Sequence, residues 1–458
     1  MNQYKTKRMQ MLAEGAIGKT LFTLAVPAIA GMVVMAVYNV VDTYFVSLLR
    51  DTTAIAATGI VFPVFQLIGA VGLTFGMGAA SVISRRLGEE RQEEAAQTAT
   101  TALYSALAAG ILFSVTGMMF TRMILKLFGA TDSIMEQAVL YGRIILGGSV
   151  FQVMNMTLNN MLRSEGAAVH SSTGQILGAV ANIILDPVFI FGLNLGITGA
   201  AIATVISQCL STCYLLSFYL RNKGALNPLD VTHLKLNAYT YGAIMTLGLP
   251  TFIRQVMSSI SFGILNRAAG QFGDSAIAAL SVSLRLFMLL LMALFGLAQG
   301  LQPLVGFNYG AGNIKRVMKA IGLVFAIVTG VGVVVGVSAF AFAPELMKVF
   351  APQDGEVIAF GSFAIRALSL VLLPVGYVVM SGSTFQALGK GGPSLILAVS
   401  QQGGFLIPLV IVLPRFVGLN GVYLAQPSAF VLSFFVGAGL LVWVYKKVLK
   451  PKLTQSGD

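Results

Sequence analysis

Charged side chains are scarce in this sequence: Asp, Glu, Lys and Arg together make up 10 % of 458 residues, against roughly 25 % in soluble domains. A chain of this length could not cover itself in water with so few, which excludes a soluble globular protein. Cysteine is scarcer still. Only Cys209 and Cys213 occur, four positions apart in one apolar run, too few for a disulfide framework and without the partners that a zinc site needs. They read as small packing residues. The two histidines, His170 and His233, are read as lying in cytoplasmic loops. No nucleophile, base and orienting group occur together, so the pattern is not that of an enzyme and implies no cofactor.

What the chain has instead is oil: 56 % of its residues are hydrophobic and the mean hydropathy is +0.84. Apolar runs long enough to cross about 30 Å of hydrocarbon as helices recur throughout. They fall at 20–47, 55–83, 95–121, 134–160, 168–192 and 197–220, and again at 240–268, 277–305, 316–343, 357–385, 393–415 and 421–447. The fold class is therefore an all-α integral membrane protein with twelve transmembrane helices. Segment 1–19 carries Lys5, Lys7, Arg8 and Lys19 and leads into a span too long for a signal-peptide core, so that span is retained. An even number of spans puts both termini on one side. Placing them in the cytoplasm leaves 19 Lys and Arg on that side against five on the other, namely Arg50, Arg122, Lys126, Lys348 and Arg415, as the positive-inside bias requires. Topology thus absorbs most of the net charge of +12, and no nucleic-acid partner is implied.

The chain repeats itself. Ala25-Val26-Pro27 matches Gly248-Leu249-Pro250, Gly78 matches Gly300, Gly88 matches Gly310, Gly166 matches Gly389, and Gly196-Ile197-Thr198-Gly199 matches Gly418-Leu419-Asn420-Gly421, always 222 or 223 positions apart. Two homologous six-helix lobes around a central cavity follow, related by an axis along the membrane normal. Their expected limits are 1–220 and 240–458, joined by a cytoplasmic linker at 221–239 that contains Asn227-Pro228. Other glycine clusters, such as Gly72, Gly76 and Gly78, sit in apolar helices without the strand and lysine of a phosphate loop. Met32, Met35, Met154, Met156 and Met161 read as bundle packing, or as an adaptable surface for varied apolar ligands.

An ionisable group within the bilayer is expensive, so those that remain are functional candidates. Of 17 acidic residues only Asp42, in the first span, and Asp186, in the fifth, lie well inside apolar runs. Asn182 precedes Asp186 by one turn and shares its helix face. Two carboxylates close together in low dielectric cannot both stay ionised unless a cation neutralises them. The pair therefore reads as a proton switch, or equally as a sodium site with amide and hydroxyl oxygens as further ligands; the alternative is that each merely glues helices. The second lobe answers with arginines instead. Arg267, Arg285 and Arg366 fall toward the outer third of their spans, where snorkelling suffices. Arg254 lies deeper, within reach of helix carbonyls around Pro250.

Leu162-Arg163-Ser164-Glu165-Gly166, followed by Ala181-Asn182-Ile183-Ile184-Leu185-Asp186-Pro187-Val188-Phe189-Ile190-Phe191-Gly192, resembles the multidrug and toxic compound extrusion (MATE) family of transporters, in its prokaryotic branch with a first-lobe cation site. The resemblance extends over nearly the whole chain. It implies two lobes in a V, in a prokaryotic plasma membrane, exporting small amphipathic and often cationic compounds against H+ or Na+ by alternating access, as a monomer in contact with membrane lipid. It also implies that cation coupling falls to Asp42, Asn182, Asp186 and Thr204, that Tyr141 and Asn159 line the lobe, and that the first helix bends at Pro27. Family branches with carboxylates on the seventh, eighth or tenth helix differ from this chain, which has arginines and neutral residues there. Second-lobe coupling is thereby disfavoured, and Arg254, Arg267, Arg285 and Arg366 become candidate contacts for anionic or zwitterionic cargo. Two rival readings are a lipid-linked precursor flippase, which usually has further helices and a strongly cationic cavity, and a passive channel, which favours symmetric charged rings.

Overall fold

The computed structural model describes residues 3–49, 51–220, 231–234, 237–350 and 354–455. Most of the expected linker lies outside the described residues, as do Arg50, Arg221, Lys223 and Lys235. The described chain is helical throughout, without strands. The first half contains α1 (Gln3–Glu14), α2 (Ile17–Ser47), α3 (Thr52–Gly88), α4 (Gln92–Met119), α5 (Thr121–Leu127), α6 (Asp132–Gly147), α7 (Ser149–Ser164), α8 (Ala168–Pro187) and α9 (Gly196–Leu220). The second contains α10 (Ala238–Gly270), α11 (Asp274–Gly310), α12 (Ile314–Ala341), α13 (Ala343–Phe350), α14 (Gly355–Leu370), α15 (Leu372–Ala387), α16 (Gly391–Val399), α17 (Ile407–Val417), α18 (Leu419–Val444) and α19 (Lys450–Gln455).

Among the described residues nine helices are long and apolar enough to cross a membrane, and α14 with α15, bent by 52°, makes a tenth. The remaining two expected spans are α6–α7 and α10, which carry several polar residues each: Gln152, Asn155, Asn159, Asn160 and Arg163 in one, Arg254, Gln255, Asn266 and Arg267 in the other. Two single runs expected at 134–160 and 357–385 are each two helices, broken at Gly148 and at Val371. The runs at 168–192 and 393–415 pass through π turns, Val188–Gly192 after Pro187 and Ser400–Leu406 before Ile407; each proline leaves a backbone carbonyl without its usual donor. Short helices α5 and α13, unmarked by hydropathy, follow the third span of each lobe at equivalent places. Helix starts are capped where the sequence offers an acceptor: Asp51 accepts from the N–H groups of Thr53 and Ala54, Asn237 from Thr240, and Asp354 from Val357. His170 lies within α8, its ring 4.2 Å from that of Phe218. Cys209 and Cys213 are free thiols, and Cys213 is exposed, so packing describes only the first.

The repeated glycines have two distinct jobs. Gly166 and Gly389, at φ +75° and +73°, and Gly196 and Gly418, at +54° and +60°, turn the chain between spans in a left-handed conformation that glycine adopts without strain. Gly78, Gly88, Gly300 and Gly310 instead sit where the lobes cross: a Cβ on Gly88 would strike the Phe307 carbonyl, and one on Gly310 the Arg85 carbonyl. These last two contacts are one contact seen twice, since Arg85 and Phe307 are themselves related by the repeat. The most extensive helix pairings run between lobes, α3 with α10 and α2 with α11.

Apolar packing explains the shape. One core is shared, joining Leu21, Leu24, Ile83, Leu87 and Met161 of the first lobe to Ile244, Leu301, Leu304, Phe307 and Val317 of the second. At the opposite end each lobe keeps a core of its own, around Val61, Ile68 and Leu146 in one and around Leu284, Phe287 and Leu368 in the other. Both termini sit at the shared end: Asn308 Nδ2 donates to Leu12 O at 3.0 Å, Arg316 Nη2 to Gly15 O at 2.7 Å, and Lys452 Nζ lies 4.3 Å from the Tyr309 ring centroid. The lobes are thus joined at that end and separate away from it.

Gly88→Leu is expected to oppose closure at the shared end by about 1–3 kcal/mol, the usual cost of overpacking. The measurement is thiol labelling of a Phe307→Cys reporter, which should speed up. Gly439→Leu, where a Cβ meets open space, serves as the control and should leave labelling unchanged.

Candidate functional site

The first lobe positions its two buried acids by helix periodicity. Tyr38 and Asp42 stand one turn apart on α2, Asn182 and Asp186 one turn apart on α8, and each pair therefore shares a face. These two helices pack along their length, and α9 lies against α8, which brings Thr204 into the same pocket. Asn182 Nδ2 donates to Asp186 Oδ1 at 3.2 Å and also approaches Thr204 Oγ1 at 3.4 Å. Tyr38 reaches Thr204 from across the pocket, and Tyr141, on α6, faces both acids. Asp186, Asn182 and Thr204 are buried, at 0, 1 and 4 % exposure, whereas Asp42 keeps partial access.

The carboxyl groups of Asp42 and Asp186 meet directly. Two carboxylate oxygens attract only when something positive lies between them, a proton or a cation. Asp42 Oδ1, Asp186 Oδ2 and Asn182 Oδ1 are buried without a hydrogen-bond donor, and among the described residues neither acid forms an ion pair. The pocket therefore presents convergent acceptors and no protein cation to satisfy them. A small apolar cluster of Val46, Ile190 and Ala200, with Phe45, Leu49 and Tyr141 against it, packs beside the acids. Val46 and Ile190 each follow an acid by one turn, so the acids are shielded from their outer side.

Other predicted residues are placed elsewhere. Asn159 is fully buried toward the inner end of α7, where its Oδ1 accepts from Ser171 Oγ at 2.8 Å; the structure does not bring it to the acids. Pro27 lies fifteen residues before Asp42, about 22 Å along the helix. It sits where Ala25 and Ile29 meet Gly300 and Gly296 of the other lobe. The four arginines are not gathered either. Arg254 is half-buried with its guanidinium 5.5 Å from the Phe295 ring centroid, Arg366 is exposed and lies 5.6 Å from that of Phe340, and Arg267 and Arg285 are exposed. An apolar cavity of about 500 Å³ lies in the second lobe, lined by Phe287, Leu290, Val334, Phe342, Ile365 and Leu368 among others. Met154 and Met161 are buried in the shared core, which favours packing for both. Tyr38 was not singled out from the sequence, although its place one turn before Asp42 marks it as a neighbour.

The model of the MatE family matches residues 27–188 and again 250–412, once per lobe. The chain belongs to the MatE family. Among curated relatives, the multidrug export protein MepA of Staphylococcus aureus (strain MSSA476) is 25 % identical over 420 residues, which is 91 % of this chain and 92 % of that protein. MepA of Staphylococcus haemolyticus (strain JCSC1435) is 27 % identical over 424 residues, with the same shares covered. Among solved structures, a MATE transporter in complex with MaL6 superposes with a TM-score of 0.90 at 27 % identity, covering 96 % of this chain and all of that one. A MOP superfamily transporter from Pyrococcus furiosus, described as having a binding pocket of reverse polarity, gives the same TM-score and identity over 96 % of this chain and 99 % of its own. This MatE protein is accordingly a multi-pass membrane transporter and not an enzyme.

Asn182→Ala would leave Asp186 and Thr204 without their shared donor, and a buried group so deprived costs about 1–3 kcal/mol. A lowered thermal unfolding midpoint in detergent is expected, and Thr204→Val, which removes only the weaker contact, should lower it less. Equal midpoints for wild type and Asn182→Ala would show that the amide does not hold the pocket.

Proposed function

We propose that this MatE protein is a secondary active multidrug exporter, which moves small amphipathic, often cationic compounds outward in exchange for protons moving inward. One observation carries the reading: Asp42 and Asp186 meet in a buried pocket whose acceptor oxygens lack donors. The relatives named for multidrug export support the cargo class. In this reading a proton from outside neutralises the pair, removes the repulsion that its charges exert, and changes how α2 packs on α8. The ion drives a transition only through its different affinity for the two states. Because Pro27 lies at the crossing of the lobes, a bend of α2 there would carry the event at the acids to the shared core.

Sodium is the second reading, favoured by Asn182 Oδ1, which has no donor and would join Thr204 Oγ1 and the carboxylates as a neutral ligand. The protein is read as a monomer in a prokaryotic plasma membrane, with the shared end and both termini in the cytoplasm. Its charge distribution supports that orientation. Arg254, stacked on Phe295 and without an acid partner among the described residues, is the second-lobe residue best placed to meet an anionic group on a zwitterionic cargo.

Reconstituted vesicles with proton and sodium gradients imposed separately decide the coupling ion, since export should follow one gradient alone. Asp42→Asn and Asp186→Asn should each reduce gradient-driven export at least about tenfold, in line with loss of an essential proton-transfer group, while inserting and folding normally. Undiminished export in either variant would end this reading. Flux indifferent to both gradients would point to a channel.

A further inference from the structure

The polar face of the first lobe continues beyond the acids. On α8, Ser171, Gln175, Asn182 and Asp186 share one side, at spacings of four, seven and four residues. That side runs about 22 Å from end to end, most of the roughly 30 Å of hydrocarbon. Thr204, Ser207 and Ser211 face it from α9, and Asn155 and Asn159 of α7 close its inner end. The third wall is α2, through Gly31, Tyr38 and Asp42. Gly31 lies directly against Gln175 Oε1 and Ser172 Oγ, so a side chain missing from α2 leaves room for polar groups on α8.

Two hydrogen-bonded sets mark the ends of this face. The outer one is the acid pocket. In the inner one Asn155 Nδ2 donates to Ser211 Oγ at 2.6 Å, Ser211 Oγ to Gly174 O at 2.6 Å, Asn159 Nδ2 to Asn155 Oδ1 at 2.8 Å, and Ser171 Oγ to Asn159 Oδ1 at 2.8 Å. Between the two lie Ser207 Oγ and Gln175 Oε1, with Ser172 Oγ beside the inner set; like Asn182 Oδ1 these atoms are buried and have no partner. None of these four residues is more than 8 % exposed. A buried polar atom without a partner is costly, and ordered water is the usual remedy. One such atom is ordinary; four along a single interhelical seam point to a line of water.

We propose that this seam is a proton conduit, leading from the Asp42–Asp186 pair through Ser207 and through waters held by Gln175 and by the amides of Asn155 and Asn159, past Ser171 and out at the end that holds the termini. The inference rests on reading the acid pair as the coupling site. A proton leaves the neutral carboxyl for the first water, each water or hydroxyl in turn accepts one proton and releases another, and the last passes to bulk water, leaving the carboxylate charged. Ser207 Oγ both accepts and donates, so it relays. Gln175 cannot relay and is a positioning residue for the water beside it. The charged groups along the seam are Asp42 and Asp186 at one end and Arg163 at the other, where Arg163 Nε donates to Asn159 O at 3.2 Å. Glu165 lies beyond, bonded to Tyr219 at 2.9 Å. The fixed positive charge of Arg163 repels protons and other cations, so the inner end is a barrier to leak and not a resting site. A permanently continuous file would leak. All three α2 residues in the seam lie beyond Pro27, so movement of that part of α2 parts the file and gates it.

The test uses the full-length protein in phosphatidylethanolamine–phosphatidylglycerol vesicles with a trapped pH dye, comparing wild type with Ser207→Val, Ser207→Ala, Ser207→Thr, Gln175→Leu and Asp186→Asn. Ethidium is the export probe. Ser207→Val, Ser207→Ala and Gln175→Leu should slow ethidium-coupled proton movement about tenfold, as expected for a broken hydrogen-bonded chain. Equilibrium ethidium binding and its pH dependence should stay within about twofold, which shows a folded protein with an intact acid pair. Ser207→Thr, which keeps the hydroxyl, should recover the rate. Wild-type proton rates in Ser207→Ala and Gln175→Leu, alongside failure of Asp186→Asn, overturn the conduit and leave the coupling site standing. Wild-type rates in Asp186→Asn remove the coupling site and the conduit with it.

Discussion

Two carboxyl groups held in oil, facing each other without a protein cation, are the constraint on which the first lobe is organised. An ion in hydrocarbon is tolerated only when it is paired, hydrated or able to lose its charge. Asp186 obtains an amide donor from Asn182, and both acids have a screen of apolar side chains on their outer side. In the proposed reading the rest of the compensation comes from a coupling ion that arrives and departs, which would make the site responsive because it is unstable when charged. Among the described residues the second lobe has no comparable pair of buried acids; its Arg254 rests on an aromatic face, and Arg267, Arg285 and Arg366 are exposed.

The architecture was legible because the bilayer permits few solutions. Long apolar runs had to be helices, an even count had to return the chain to its starting side, and recurrence of glycine at a fixed offset had to reflect two similar lobes. The structure adds the reason for that recurrence: some glycines turn the chain with positive φ, and others let backbones touch where the lobes cross. Hydropathy could not foresee the breaks at Gly148 and Val371, because a bent span and a straight one bury the same apolar length. Nor could it find α1, α5 or α13, which are too short to cross anything.

The candidate site was legible in proportion to how anomalous each residue is in oil. Asp42 and Asp186 stood out as charges, and Asn182 followed by helix periodicity. Thr204, Tyr141 and Asn159 came from family resemblance, and of these the structure gathers the first two and sets Asn159 apart. Tyr38 escaped notice because a tyrosine in a membrane helix is unremarkable until its neighbour is an acid. Ser207 and Gln175 escaped for the same reason, since a hydroxyl or an amide becomes conspicuous only when no partner is found for it. The second-lobe arginines were conspicuous as charges, yet position alone does not unite them.

The arrangement of the three cores has a thermodynamic consequence. Each lobe carries its own core at the far end, and in the proposed transport cycle the apolar packing given up among the described residues is the patch built from Leu21, Leu24, Ile83, Ile244, Leu301 and their neighbours. Wetting such a patch raises heat capacity, whereas burying its counterpart at the other end lowers it. Unless the two patches match in area, the balance between the two conformations will drift with temperature, and the exporter will favour a different side of the membrane in the cold than in the warm.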